Sequence, residues 1–210
     1  MEKIGLFPLN IVLFPHTAYP LHIFEERYKQ LISESIANDL EFGITYMNGS
    51  KMFEIGCKAK VKDVLRQFGD GKMDIIVEGV ERFIIKSVTD NPSSYHTAEI
   101  AEYNDRFHDL DDEALHACID LYNEAATKIK IIHIPQIDKD NFHLEYPSFY
   151  IATKVGVGPE QKQILLELNS ENKRIKYLLK HLKQLLPTIT DKRQIDNIIK
   201  NDGYFKTNGG

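Results

Sequence analysis

The sequence predicts an α+β protein: an antiparallel, partly closed β barrel with one early helix, followed by a helical bundle. Three observations carry this. Between residues 42 and 103, short apolar runs alternate with glycine- and asparagine-marked turns. Beyond residue 110, apolar residues recur at helical spacing instead. Between the two, composition shifts: from Glu99 to Glu124 a single basic residue, Arg106, faces nine acidic ones. Segregated strands and helices argue against a parallel α/β sheet. The expected division is a β-rich lobe over 1–104, a helical lobe over 105–190 and a flexible tail over 191–210.

Residues 4–9 and 11–14 read as strands punctuated by Pro8 and Pro15, with one more extended step at Pro20. Proline is tolerated at strand ends and edges, where its missing N–H faces no partner. Residues 24–37 change to helical period. Phe24, Tyr28, Leu31, Ile32 and Ile36 form one face, and Glu25, Glu26, Lys29, Gln30 and Glu34 the other. Glu25 and Glu26 fall in the first turn, where the helix dipole favours negative charge. Strand 42–47 runs into Asn48-Gly49-Ser50. Residues 58–68 alternate up to Gly69-Asp70-Gly71, a hairpin turn supplying positive φ. Residues 73–77 return, Gly79 breaks or bulges the strand, 82–88 continues it, and 95–103 ends the series.

In the second half, Asp111 or Asp112 caps a helix whose apolar stripe is Leu115, Cys118, Ile119, Tyr122, Ala126 and Ile129. Residues 131–134 extend it to Pro135, and 136–146 read as a loop. Pro147 opens a short helix to about residue 155, and Pro159 opens another with Ile164, Leu165, Leu166 and Leu168 apolar. Ser170 caps a long helix. Ile175, Leu178, Leu179, Leu182, Leu185 and Leu186 line one side, with Lys173, Arg174, Lys176, Lys180 and Lys183 on the other.

The chain has 210 residues, 42% of them hydrophobic and 27% charged, as a soluble globular protein does. A net charge of −5 supplies no general attraction for phosphate backbones. Cys57 and Cys118 form no C-x-x-C pair and read as buried thiols in a reducing compartment. No signal peptide pattern and no run of about 18 apolar residues is present, so a cytoplasmic protein without a membrane span is expected.

Catalytic constellations are not apparent. There is no phosphate loop, and Gly156-Val157-Gly158 before Pro159 reads as an inter-helix turn. No G-x-S-x-G occurs, and Ser33, Ser35, Ser87 and Ser148 fall in helix-face, strand or cap positions. His22-x-x-Glu25-Glu26 is half of an H-x-x-E-H zinc motif without its second imidazole. His16 lies across a proline from His22, and His133 and His143 flank a loop. No catalytic residue, metal or cofactor is expected.

Several stretches together resemble the free-standing N-terminal, substrate-binding domain of Lon proteases. They are Leu6-Phe7-Pro8-Leu9-Asn10, Val12-Leu13-Phe14-Pro15, Pro20-Leu21-His22-Ile23-Phe24-Glu25, Arg27-Tyr28 and Phe42-Gly43-Ile44. Gly56, Asp70-Gly71, Gly79 through Arg82-Phe83, Gln163-Leu165-Leu166-Glu167 and Arg174 with its following leucines extend the likeness over residues 3–186. The resemblance implies a PUA-like pseudo-barrel, a helical bundle, and recognition of unfolded or tagged proteins. The chain ends where that family's ATPase would begin and lacks the serine–lysine protease domain, so an enzyme is not expected. One departure stands out: His16 occupies the position of a glycine after Phe-Pro, where positive φ is resisted by a side chain.

On this reading the prolines bend the first strands over the barrel and leave an apolar cleft. Phe14, Pro15, Tyr19, Leu21, Phe24 and Tyr28 are its candidate protein-binding residues, although the same residues suit a core. Glu25, Arg27, Asp70, Gly71, Gly79, Arg82 and Phe83 are candidate structural residues, Arg27 pairing with Glu25 or a barrel carboxylate. The expected partners are unfolded or partly folded proteins, with a separate protease or chaperone behind an adaptor that is a monomer or weak homodimer. The alternative is an RNA-binding PUA-like protein, for which Lys58, Lys60, Lys62, Arg66, Lys72 and Arg82 would supply the outward basic patch.

Overall fold

The first strand, β1 (Glu2–Leu9), is paired on both edges. It runs antiparallel to β7 (Thr97–Glu102) through Glu2–Gly5 and parallel to β3 (Phe42–Asn48) through Leu6–Leu9. Between β1 and β3 the chain forms β2 (Ala18–Ile23) and α1 (Glu26–Asn38), a crossover long enough to make a parallel pair. The expectation of purely antiparallel strands is corrected at this one pairing. β4 (Lys51–Met52), β5 (Ile55–Gln67) and β6 (Met73–Thr89) follow. Among the described residues these seven strands form one sheet: six follow the order β1-β7-β6-β5-β3-β4, which the β1–β3 pairing closes into a barrel, and β2 pairs with β6 off this path. β6 carries β5 along one edge, and β2 and then β7 along the other.

This computed structural model describes residues 1–90, 94–106, 110–129 and 133–189. The chain divides into two compact units, Met1–Asn104 and Asp105–Gly210. The sequence expectation of a tail over 191–210 lies outside the described residues.

Proline placement in β1 follows from hydrogen bonding. Leu6 N–H donates to the His96 carbonyl at 2.8 Å, towards the β7 side. Two residues on, Pro8 turns its nitrogen to the same side, past the last β1–β7 pair, Gly5↔Thr97. Its missing donor therefore costs no ladder bond.

Residues 11–14 are not a strand. Val12, Leu13 and Phe14 are buried, and the segment crosses the sheet at Gly79. His16 N–H donates to the Gly79 carbonyl at 2.8 Å, and Gly79 N–H to the Thr17 carbonyl at 2.9 Å. Thr17 Oγ1 donates to the Phe14 carbonyl at 2.8 Å. A Cβ on Gly79 would sit 2.1 Å from the Phe14 oxygen. β6 continues through this glycine with a register shift between Gly79 and Arg82, the bulge alternative of the sequence reading, and the glycine also admits the close approach of another backbone. His16 adopts φ 57°, the left-handed conformation its side chain resists.

Two hydrophobic groups fill the barrel. Phe7, Leu13, Ile23, Leu31, Ile32, Phe42, Ile44 and Ile75 belong to one, while Ile4, Leu6, Phe83, Ala98 and Ile100 form the other. α1 buries Tyr28, Leu31, Ile32 and Ser35. It begins two residues later than its apolar period suggests, because β2 runs to Ile23 and Glu25 is still extended at ψ 137°. Phe24 thus lies outside the helix, and Ile36 is exposed.

The second unit holds α2 (Asp112–Lys128), α3 (Pro147–Ala152), α4 (Pro159–Glu167) and α5 (Glu171–Leu185). Asp111 caps α2, its carboxylate accepting from Ala114 N–H at 3.0 Å. The helix stops at Lys128 with Ile129 extended, so the expected extension fails at the described residues His133 and Ile134; residues 131 and 132 lie outside the description. A short 3-10 turn, Lys139–Asn141, interrupts the expected loop.

Arg174 corrects the expectation of a fully polar outer face on α5: it is wholly buried. Its guanidinium donates to Asp105 Oδ1 at 2.8 Å, Glu171 Oε2 at 2.7 Å, Ser148 Oγ at 3.0 Å and the Leu168 carbonyl at 2.6 Å. Ser148 N–H and Oγ in turn donate to Glu171 at 2.7 and 2.8 Å. Burial opposes the arginine's charge, but Asp105 and Glu171 outweigh it and hold its pKa above the ordinary value.

Candidate functional site

The structure separates the six candidate binding residues into two sets. Phe14 (1% exposed), Pro15 and Tyr28 (5%) are buried, and the reading of these three as surface contacts is corrected. Phe14 lies beneath the crossing at Gly79, and the Tyr28 ring packs 4.1 Å from that of Phe7. Tyr19 and Leu21 are half-buried on the core side of β2, where burial pushes the Tyr19 phenol pKa up. Phe24 is 58% exposed.

Phe24 does not stand alone. The His22 ring stacks on it at 5.9 Å and meets the edge of Phe68 at 6.2 Å, while the Arg66 guanidinium lies 4.5 Å over Phe68. His22 Nδ1 lies 2.6 Å from Asp74 Oδ1, the ring N–H donating to the carboxylate. Strand register explains the meeting: Asp74 of β6 pairs with His22 of β2 on one side and with Arg66 of β5 on the other. The β5–β6 hairpin also exposes Val64 (44%) and Leu65 (61%) at the register shift between Val64 and Arg66. Phe68 and Asp74 were missed from the sequence, and Arg66 was named only as part of the basic patch. Their signal was an aromatic residue immediately before the Gly69-Asp70-Gly71 turn, next to two large aliphatics in an otherwise polar strand.

β2 leaves an edge open. Among the described residues it pairs only with β6. The Thr17 carbonyl points to β6, so alternation turns the backbone groups of Tyr19, Leu21 and Ile23 there too and those of Pro20 outwards. The depression between α1 and the hairpin turn, about 440 Å³, is lined by Glu26, Arg27, Lys29, Gln30 and Gln67. It is polar, unlike the apolar cleft expected. Lys29 Nζ donates to the Asp70 carbonyl at 2.9 Å and so ties α1 to the turn.

The candidate structural residues act locally. Arg27 pairs with Glu25 at 3.0 Å and lies 4.6 Å over the Tyr28 ring. Asp70 accepts from Lys72 at 2.7 Å, which lowers the carboxyl pKa, and Gly71 takes φ 81° in the turn. Arg82 is buried with its guanidinium 5.2 Å over Tyr103, and Phe83 is fully buried.

The outward basic patch is corrected at Lys58 and Arg82, which are buried, whereas Lys60, Lys62 and Arg66 are exposed. Lys58 is buried amid Glu2, Glu41 and Glu81 at 3.2, 3.2 and 2.5 Å. Burial works against its ammonium, but these carboxylates hold its pKa above the usual lysine value. Lys62 and Lys60 approach Glu78 at 3.0 and 3.8 Å, and Arg82 points inwards. Burial also raises both thiol pKa values, that of Cys118 to about 12. Among the described residues no group of three His, Cys, Asp or Glu side chains is placed to hold a metal ion, and no helix is long and apolar enough to cross a membrane.

The family model of the ATP-dependent protease La (LON) substrate-binding domain matches residues 3–184. The Lon protease of Cytophaga hutchinsonii is 26% identical over 92% of this chain and 25% of its own length. The Lon protease of Escherichia coli K12 is 22% identical over 94% of this chain and 27% of its own. The chain thus spans about a quarter of these relatives. Among solved structures, a Lon N-terminal domain protein from Xanthomonas campestris has a TM-score of 0.67 at 19% identity, over 86% of this chain and 98% of its own. The N-terminal domain of a Mycobacterium avium complex Lon protease has a TM-score of 0.63 at 14% identity, over 87% and 98%. With an antiparallel-dominated barrel, a helical second unit and a family match across nearly its full length, this chain belongs to the Lon substrate-binding domain family.

Proposed function

We infer that the chain is a polypeptide-recognition module that binds exposed apolar segments of unfolded or partly folded proteins by contact, without chemistry of its own. The observation that carries this is Phe24, a large aromatic left 58% exposed within the His22–Phe68–Arg66 cluster, in a chain of a substrate-binding family. Aromatic residues and arginine are enriched at protein interfaces relative to the rest of the surface. The open edge of β2 beside this cluster offers backbone carbonyls to an extended segment. Pro20 on that edge limits strand addition, which favours side-chain contact over a continuous ladder. An adaptor that presents its client to a separate protease or chaperone would need no more than this.

The test is binding of a fluorescently labelled, reduced and carboxymethylated protein to the wild-type chain and to Phe24→Asp. The expected result is a loss of roughly tenfold in affinity, about 1.4 kcal/mol, with the fold intact by circular dichroism. Unchanged affinity in the folded variant overturns the assignment of this site.

A further inference from the structure

The outer face of α5 handles charge unlike the barrel. In the barrel, Lys58, Lys60, Lys62 and Lys72 each sit beside a carboxylate. On α5, Lys173, Lys176, Lys180 and Lys183 are all exposed, and among the described residues none has an ion-pair or hydrogen-bond partner for its side chain. After Glu171 the helix contains no acidic residue. The four lysines follow i, i+3, i+7, i+10 spacing, so they share one stripe opposite the buried Ile175, Leu178 and Leu182. Like charges at these spacings repel, and Lys173 stands near the helix N-terminus, where a cation is unfavourable.

We propose that this lysine stripe docks an acidic segment of polypeptide. The geometry fits: the stripe is about 15 Å long at 1.5 Å rise per residue. Alternate side chains of an extended chain project to one side about 6.7 Å apart, so a short run of alternating carboxylates matches its length. Nucleic acid is a poorer occupant. Tyr177, the one aromatic among these lysines, is half-buried, whereas single-strand binding relies on a series of stacking aromatics. A lipid surface is poorer still, because the apolar side of α5 is buried in its own unit and cannot insert. The stripe is argued from its own residues and stands whether or not the Phe24 cluster binds polypeptide.

The experiment titrates the full chain into a fluorescein-labelled peptide of alternating glutamate and serine, read by anisotropy. Binding is expected at about 0.05 M salt and its loss by about 0.5 M, as screening closes in. The fourfold variant K173Q/K176Q/K180Q/K183Q should lose roughly tenfold or more in affinity. The fourfold arginine variant should retain it, and Phe24→Asp should leave it unchanged, which separates this surface from the aromatic one. No binding at low salt, or equal binding by the folded glutamine variant, overturns the proposal. So does tighter lysine-dependent binding of an oligo-dT strand or of anionic phospholipid vesicles than of the peptide.

Discussion

Phe14 and Phe24 stand in the same proline-punctuated stretch and end in opposite environments, 1% and 58% exposed. Phe14 is covered because its backbone crosses β6 at a glycine that admits it within van der Waals contact. Phe24 is uncovered because β2 continues to Ile23, α1 starts only at Glu26, and among the described residues no element crosses above it. Arg174 and Lys173 make the same contrast in charge. The neighbours diverge because only Arg174 faces Asp105 and Glu171. Apolarity and charge are written in the residue, but cover comes from distant parts of the chain.

Substitutions break this contrast with graded severity. Gly79→Val should do most, since its side chain would collide with the Phe14 carbonyl and unseat the crossing. The expected outcome is a barrel that does not fold cooperatively, read by thermal denaturation; a native-like melt contradicts the close approach. Arg174→Ala should cost about 3–5 kcal/mol by leaving two carboxylates buried without their cation. Lys173→Ala should stay within about 0.5 kcal/mol. Phe14→Ala should likewise cost about 3–5 kcal/mol in urea denaturation, and Phe24→Ala no more than about 0.5. His16→Gly should move the other way and stabilise by about 1 kcal/mol, because glycine relieves the strain of φ 57°. Equal midpoints for His16→Gly and wild type would remove that strain from the account.

Much of the fold was legible because local physics agreed with the final structure. The Asp70-Gly71 turn, the Asp111 cap, the Pro147 and Pro159 helix starts and the leucine stripe of α5 all followed from spacing and turn chemistry. What failed depended on partners remote in sequence. The parallel β1–β3 pair needs a crossover seen only in three dimensions, and the break or bulge read at Gly79 gave no sign of its visitor, Phe14, which lies far upstream. The candidate site was half legible for the same reason. Phe24 was named, but Phe68 and Arg66 meet its neighbour His22 only through the strand register that aligns β2, β6 and β5. Arg174 looked like one more cation on a basic face until Asp105 was brought to it.

The uncovered aromatic at the β2–α1 junction is the side chain expected to touch the client. A photo-crosslinking residue placed at position 24, with another at the exposed position 36 as reference, tests it directly against an unfolded protein. Strong crosslinking from 24 and little from 36 is the predicted result. Equal yields from both positions, or crosslinking from 36 alone, would contradict it.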